Sequence, residues 1–334
     1  MNIAQHLERT RRLFPNKPAI IFEEESFSYS EIDEMSSRVA NALAGDGISR
    51  GDRVALFLPN IPSFVIVYLG IQKMGAIAVS INSTLKTEEI KFILDDSGAK
   101  VIVTTETLRR HVPAEELPQL NLILIAEGDA KGADIALSEW MANASPKAQA
   151  VDMAHDDPAA ILYTSGTTGF PKGATLSYGN VVSNVQTCVD VFKMQPEDRI
   201  LLFVPMFHNF GQNAALNPCL EAGATLVLHR EFVLRGQQST KVYAYANSLL
   251  LPERLPQEVR SGLQVEKGGI GRILLNSLIE ERREVLWYGH EHIADLSSDI
   301  EPLTGKDFLS RTYRIIVGGK PIMLINERFP LHLQ

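Results

Sequence analysis

The sequence predicts an α/β protein with a mostly parallel sheet covered by helices over about residues 1–229, then a smaller antiparallel α+β segment over about 230–334. Two observations carry this. Short, wholly apolar runs alternate with amphipathic stretches at the pace of successive βα units, which is how a sheet buried on both faces reads. Near residue 229 that rhythm stops and longer extended segments take over, separated by turn signals.

The elements follow in order. Residues 31–44 place Ile32, Met35, Val39, Ala42 and Leu43 at helical spacing, with Ser30 as the expected cap. Gly51 and Asp52 turn into a buried strand over 53–58, which Pro59 and Pro62 break. A helix over 63–73 ends at Gly75, and a second strand covers 76–81. Thr87 opens a helix whose Ile90, Phe92, Ile93 and Leu94 form its apolar side, and a third strand spans 100–104. Small and polar residues over 126–157 read as a connecting region. A strand at 159–163 then runs into a glycine-rich turn, followed by a helix over 177–191 and strands at 199–204 and 224–228. In the last third, 232–234 and 242–251 read as antiparallel arms joined near 236–239, and 271–284 as helix. Residues 284–288, 311–317 and 321–326 read as extended, with Gly318-Gly319 as a two-residue hairpin turn.

Composition bounds the function. Lys and Arg number 32 against 40 Asp and Glu, so the net charge of −8 argues against a general nucleic-acid binder. At 45% hydrophobic and 22% charged, the chain suits a globular fold that needs no disulfide or metal staple. Its two cysteines, Cys188 and Cys219, lack metal-ligand spacing and fit a reducing cytoplasm. The most apolar stretch, 64–81, is broken by Gln72 and Lys73, and no membrane span is expected.

The chemistry concentrates in residues 164–173. Gly166, Gly169 and Gly173 let the backbone turn tightly and aim N–H groups at an anion. Thr164, Ser165, Thr167 and Thr168 add hydroxyls, and Lys172 adds a mobile cation. That set suits a polyphosphate. Neither the Gly-Lys-Ser/Thr ending of a Walker A loop nor a GxGxxG fingerprint is present.

The run Tyr163 to Ala174, YTSGTTGFPKGA, resembles the phosphate-binding signature of the adenylate-forming superfamily, which includes acyl-CoA synthetases and fatty-acyl-AMP ligases. The resemblance spans about 1–229 and takes in Phe27 to Glu31, Gly51 to Val54, Pro59-Asn60, Gly75-Ala76, Pro205 to His208 and Gly223-Ala224. It implies attack of a small-molecule carboxylate, fatty or aromatic, on Mg-ATP to give acyl-AMP. A thioester to CoA or an acyl carrier protein follows. Thr164, Ser165, Gly166, Thr167, Thr168, Gly169 and Lys172 would hold ATP phosphates with Mg2+, and His208 would sit beside the carboxylate. After residue 229 the superfamily's adenine and ribose motifs and its lysine-bearing C-terminal domain do not follow. Residues 287–291 and 304–307 echo two of them without matching.

From Arg230 the chain resembles the chorismate pyruvate-lyase (4-hydroxybenzoate synthase) family. The matches run through 230–236, 245–255, 269–274, 283–286 and 310–315 to 321–330. The resemblance implies cofactor-free elimination of pyruvate from chorismate. Arg230 would be the carboxylate anchor, Glu327 the acid group, and Ile270 or Gly271 the pocket wall. Both segments then read as truncated domains joined at Leu228-His229-Arg230 without a linker. Three functions stay open: carboxylate activation, chorismate lysis, and a noncatalytic remnant that binds nucleotide phosphates.

Overall fold

The computed structural model describes residues 1–164, 171–202, 204–228, 230–235, 242–250, 257, 281–293, 306–317 and 320–330, with only the backbone given over 230–235 and 242–250 and at 281, 291–293, 306, 320–322, 324, 326 and 330. They form two compact units, Met1–Leu228 and His229–Gln334.

The first unit opens with α1 (Ala4–Leu13), β1 (Pro18–Phe22), β2 (Glu25–Ser28), α2 (Tyr29–Gly45), β3 (Arg53–Leu56), α3 (Pro62–Met74), β4 (Ile77–Ser80), α4 (Thr87–Ser97) and β5 (Val101–Thr104). It continues through α5 (Glu106–Arg109), β6 (Leu122–Ile125), β7 (Ile135–Ala136), α6 (Leu137–Ala142), β8 (Pro158–Thr164), β9 (Lys172–Ser177) and α7 (Tyr178–Phe192). After β10 (Arg199–Leu202) come a π-helical segment, Phe210–Leu216, then α8 (Asn217–Ala222) and β11 (Thr225–Leu228). Two sheets result. One has seven strands in the order β7-β6-β5-β3-β4-β8-β9, parallel except for the last pair. The other has four, β10-β11-β1-β2, with only β1 and β2 antiparallel.

The strand sequences are apolar throughout because both faces are covered. Along β3, Val54 and Leu56 enter one core, while Ala55 enters a second core with Phe57 just beyond the strand. The first core unites residues of both sheets with α2 and α3; the second packs α4 through Ile90, Ile93 and Leu94. Helix α3 is apolar nearly all round and buried from Phe64 to Ile71, as an enclosed helix must be. It lies so close to α2 that a Cβ on Gly70 would sit 2.5 Å from Val39 Cγ1 and 2.9 Å from the Ser36 carbonyl oxygen. The buried Lys73 ammonium donates to Asp33 at 2.7 Å and to Ser37 at 3.1 Å, so its charge is paired within the α2–α3 contact.

Several expectations need correction. The cap of α2 is Ser28, not Ser30: Ser28 Oγ accepts from the Glu31 amide while Glu31 accepts from the Ser28 amide. That reciprocal pair satisfies two donors that Ser30 cannot reach. The region 126–157 holds β7 and α6, and side chains of α2 tie down its backbone. Arg38 donates to the carbonyls of Ala142 and Ala144, and Asn41 to those of Ser145 and Lys147. Strands β1, β2, β6 and β9 escaped the sequence reading. The first two are short and partly exposed, β6 was masked by its flanking polar residues, and β9 is an exposed edge with little apolar pattern.

The second unit is a five-stranded antiparallel sheet among the described residues. Its strands are β12 (Arg230–Arg235), β13 (Val242–Leu250), β14 (Glu281–Ile293), β15 (Lys306–Val317) and β16 (Lys320–Pro330), in the order β12-β13-β16-β15-β14. The expected β12–β13 pair is present. Residues 281–284, read from sequence as the end of a helix, belong to β14, because cross-strand partners Arg283↔Ile315 and Glu284↔Arg314 override their local helical pattern. Residues 271–280 of that helix, and both turns at 236–239 and 318–319, lie outside the described residues. Val317 and Lys320, which flank the second turn, are paired.

Candidate functional site

The glycine-rich loop leaves the end of β8 and returns as β9. Thr164 and Lys172 are cross-strand partners, so both stand at the mouth of the loop, exposed. Ser165, Gly166, Thr167, Thr168 and Gly169 lie outside the described residues. Strand β8 lies beside β4, with Leu162 level with Ser80. Thr164 therefore stands at the carboxyl end of β8, beside the parallel strand β4, the edge of an open α/β sheet where ligands are commonly bound.

The segment bearing His208 reaches the same edge by a different route. Asn60, just beyond β3, grips it with both ends of its amide: Nδ2 donates to the Val204 carbonyl at 3.1 Å, and Oδ1 accepts from the Met206 amide at 2.8 Å. His208 is exposed, and its Nδ1 accepts from the Phe210 amide at 3.2 Å. An imidazole that accepts at Nδ1 carries its proton on Nε2 when neutral, so His208 presents an N–H donor outward. A carboxylate is a fitting acceptor. The π-helical segment begins at once, and Gly211 is needed there because a Cβ would meet the Pro205 carbonyl oxygen at 2.3 Å.

This segment is held by amides where a buried helix usually carries aliphatic side chains. Gln212 donates to Ser80 Oγ at 3.1 Å, bringing the segment onto the end of β4. Asn213 donates to Asn209 at 2.7 Å, Asn217 donates to Asn213 at 2.9 Å and to the Tyr68 hydroxyl at 3.0 Å, and Asn184 donates to the Asn213 carbonyl. Of these bonds only the one from Asn184 reaches a backbone carbonyl of the π-helical segment; the others join side chain to side chain. Asn60, Ser80 and Thr164 thus mark the ends of β3, β4 and β8 as one site edge. Sequence reasoning noted Asn60 only as part of a resemblance and missed Ser80, Gln212, Asn213 and Asn217. The available signal was polar residues at positions that helical spacing assigns to the core.

In the second unit, the register Arg230↔Ser248, Ser248↔Ile325 places Arg230 on the same sheet face as Ile325, and Glu327 lies two residues further along that face. With strands about 4.8 Å apart and about 3.4 Å per residue, their Cα atoms are roughly 12 Å apart. The β13 positions between them on that face are Ala246 and Ser248. Glu327 is already engaged: Arg311 Nε donates to it at 2.6 Å and the Tyr313 hydroxyl at 3.0 Å. The Arg311 guanidinium also lies over the rings of Tyr313 (5.4 Å) and Phe329 (5.7 Å). Burial first, then the Glu327 carboxylate, push the Tyr313 phenol up to about 12, so it stays a donor at neutral pH. Sequence reasoning noted Arg311 and Tyr313 only within the resembling stretch 310–315 and gave them no role; the pairing register brings them to Glu327. Ile270 and Gly271 lie outside the described residues.

Among the described residues no group of three or more His, Cys, Asp or Glu side chains is placed to hold a metal ion. Nor is any helix among them long and apolar enough to cross a membrane.

A parallel α/β unit with this glycine-rich hairpin defines the class. The AMP-binding enzyme model matches residues 7–244, and the chain belongs to that family. A second model, Chorismate pyruvate-lyase Rv2949c-like, matches residues 177–334. Curated relatives include the long-chain-fatty-acid–CoA ligase FadD13 of Mycobacterium tuberculosis, 34% identical over 68% of this chain and 43% of the relative. Another is the indoleacetate–CoA ligase of Aromatoleum aromaticum, 32% identical over 70% of this chain and 46% of the relative. The chain thus spans less than half the length of these relatives. Among solved structures, the anthranilate CoA ligase AuaEII in complex with anthranoyl-AMP aligns at a TM-score of 0.66 and 28% identity, covering 68% of this chain and 45% of that one. The inhibitor-bound N-terminal domain of FACL13 from Mycobacterium tuberculosis aligns at 0.61 and 31%, covering 68% and 56%.

Proposed function

We propose that the first unit binds the phosphates of Mg-ATP together with a fatty or aromatic carboxylic acid, as the corresponding part of an acyl-activating ligase. The whole reaction forms acyl-AMP and pyrophosphate, and then a thioester with CoA or an acyl carrier protein. The observation that carries this reading is the paired Thr164 and Lys172 at the mouth of the loop, on the sheet edge where the His208 segment is anchored. Lys172 would neutralise phosphate charge and the Nε2–H of His208 would orient the carboxylate. Mg2+ arrives with the triphosphate and would screen the charge that repels an incoming carboxylate.

Residues 1–334 taken alone are expected to be poor at the chemical step. Attack on the α-phosphate depends on fixing both reactants and on cations placed where charge develops. No motif after residue 229 supplies the adenine and ribose contacts or the lysine for that task. Titration calorimetry should find weak, Mg-dependent triphosphate binding with little base selectivity, weakened about tenfold further by Lys172→Ala, in line with loss of a charge-assisted contact. Robust ATP–pyrophosphate exchange above the Lys172→Ala background would overturn the impaired reading. Absence of any triphosphate binding would overturn the ligase reading itself.

A second reading, chorismate lysis by the second unit, draws on Arg230 and Glu327 sharing a sheet face across a lane of small residues. Little turnover is expected, since the reaction needs a closed, dry pocket. Release of 4-hydroxybenzoate at a rate abolished by both Arg230→Ala and Glu327→Ala would make this the primary function.

A further inference from the structure

A carboxylate on an open sheet face is free to turn about its side-chain bonds, and a ligand that binds it must stop that motion. Glu327 is already held. Arg311 stands directly opposite it across the β15–β16 pair, and Tyr313 stands two residues further along β15 on the same face. Each carboxylate oxygen takes one donor: Oε2 the Arg311 Nε–H at 2.6 Å, and Oε1 the Tyr313 hydroxyl at 3.0 Å. The donors are themselves confined. The Arg311 guanidinium lies over the rings of both Tyr313 and Phe329, and the Arg283 guanidinium lies over the Tyr313 ring at 5.9 Å. Tyr313 is 5% exposed, whereas the Glu327 side chain keeps 22% of its surface accessible. The clamp is packed into the sheet and the group it holds is left partly open.

We propose that Arg311 and Tyr313 are positioning residues that fix the Glu327 carboxylate as a hydrogen-bond acceptor for a ligand hydroxyl, in place of the acid group that the resemblance implied. The inference rests on the reading of this face as a chorismate-lyase site. Donors on both oxygens suit a group that accepts and gives no proton. An acceptor fixed in advance needs no ordering when the ligand arrives, so loosening it should weaken the ligands that use it and spare those that do not.

The test uses the full chain, titrated calorimetrically with 4-hydroxybenzoate and with benzoate, which lacks the hydroxyl. Wild type is expected to bind the hydroxy acid about tenfold more tightly, the usual size of a hydrogen bond to a charged group. Glu327→Ala should remove that preference. Arg311→Ala and Tyr313→Phe should each reduce it to about threefold or less, although Glu327 is still present. Tyr313→Phe keeps the ring between the two guanidiniums and deletes only the hydroxyl. Equal weakening of both acids in these two variants, with the preference intact, would mean that Arg311 and Tyr313 only support the sheet, and would overturn the positioning role. A preference that survives Glu327→Ala would overturn it as well. A wild-type chain that binds neither acid, or binds both equally, would overturn the reading of this face and the positioning role with it.

Discussion

At the scale of single residues, the first unit spends charge on anchoring its N-terminal helix. Glu221 of α8 receives His6 at 2.8 Å and Arg9 at 2.5 Å, both from α1. Burial opposes ionisation of this carboxyl, yet the hydrogen bonds and charges of His6 and Arg9 outweigh it and lower its pKa to about 2. A carboxyl whose folded pKa is depressed stabilises the fold above its unfolded value near 4.5. The contribution fades as pH falls toward about 2. Because Arg9 is half exposed, solvent screening holds the contribution to the order of 2 kcal/mol. Urea titrations of Glu221→Gln should therefore show lower stability than wild type at pH 6, and a gap that closes between pH 4.5 and 2. A gap independent of pH would mean that packing, not ionisation, is what Glu221 contributes.

At the scale of elements, the α2–α3 crossing is a close helix–helix joint of the first unit. Gly70 permits it, and Lys73 one turn later supplies the polar link to Asp33 and Ser37. Adding a methyl at Gly70 improves intrinsic helix propensity by about 1 kcal/mol. It also drives a Cβ into Val39 and the Ser36 backbone, and overpacking of this kind costs about 1–3 kcal/mol, more where backbone is struck. The clash should win. Gly70→Ala is expected to lower the urea midpoint without changing the slope, and a raised midpoint would show that the two helices can part freely. The glycine at position 75 plays a different part: it ends α3 in the left-handed conformation, at φ 75°, where a side chain would be strained.

For the molecule as a whole, the two units differ in how well their apolar surface is covered. The first encloses a core shared by two sheets and their helices. In the second, β14 is an edge among the described residues and exposes Val285, Leu286, Trp287 and Tyr288, the last 77% accessible. An apolar edge strand is poorly protected against cleavage and association. Limited proteolysis should cut first within the second unit and leave a resistant fragment ending near Leu228, read by mass spectrometry. A resistant fragment beginning near His229 would reverse the order of stability assigned here.

The sequence by itself determined what local chemistry dictates. Apolar runs such as Val101 to Val103 declared buried parallel strands, Gly75 declared a helix end, and the glycine, hydroxyl and lysine content of 164–173 declared an anion site. Each signal sits within a few residues of chain, where propensity and periodicity act. Tertiary structure decided the rest, because it depends on partners distant in sequence. Residues 281–284 became strand through pairing with β15, and a second sheet formed when β1 met β11, about 200 residues on. Glu327 acquired Arg311 and Tyr313, Ser80 acquired Gln212, and Tyr163 acquired Asp96, none of which any spacing announces. A hydrogen bond constrains the position of two atoms and leaves no period in the sequence, so the groups that hold a site in place become visible only once the chain has folded.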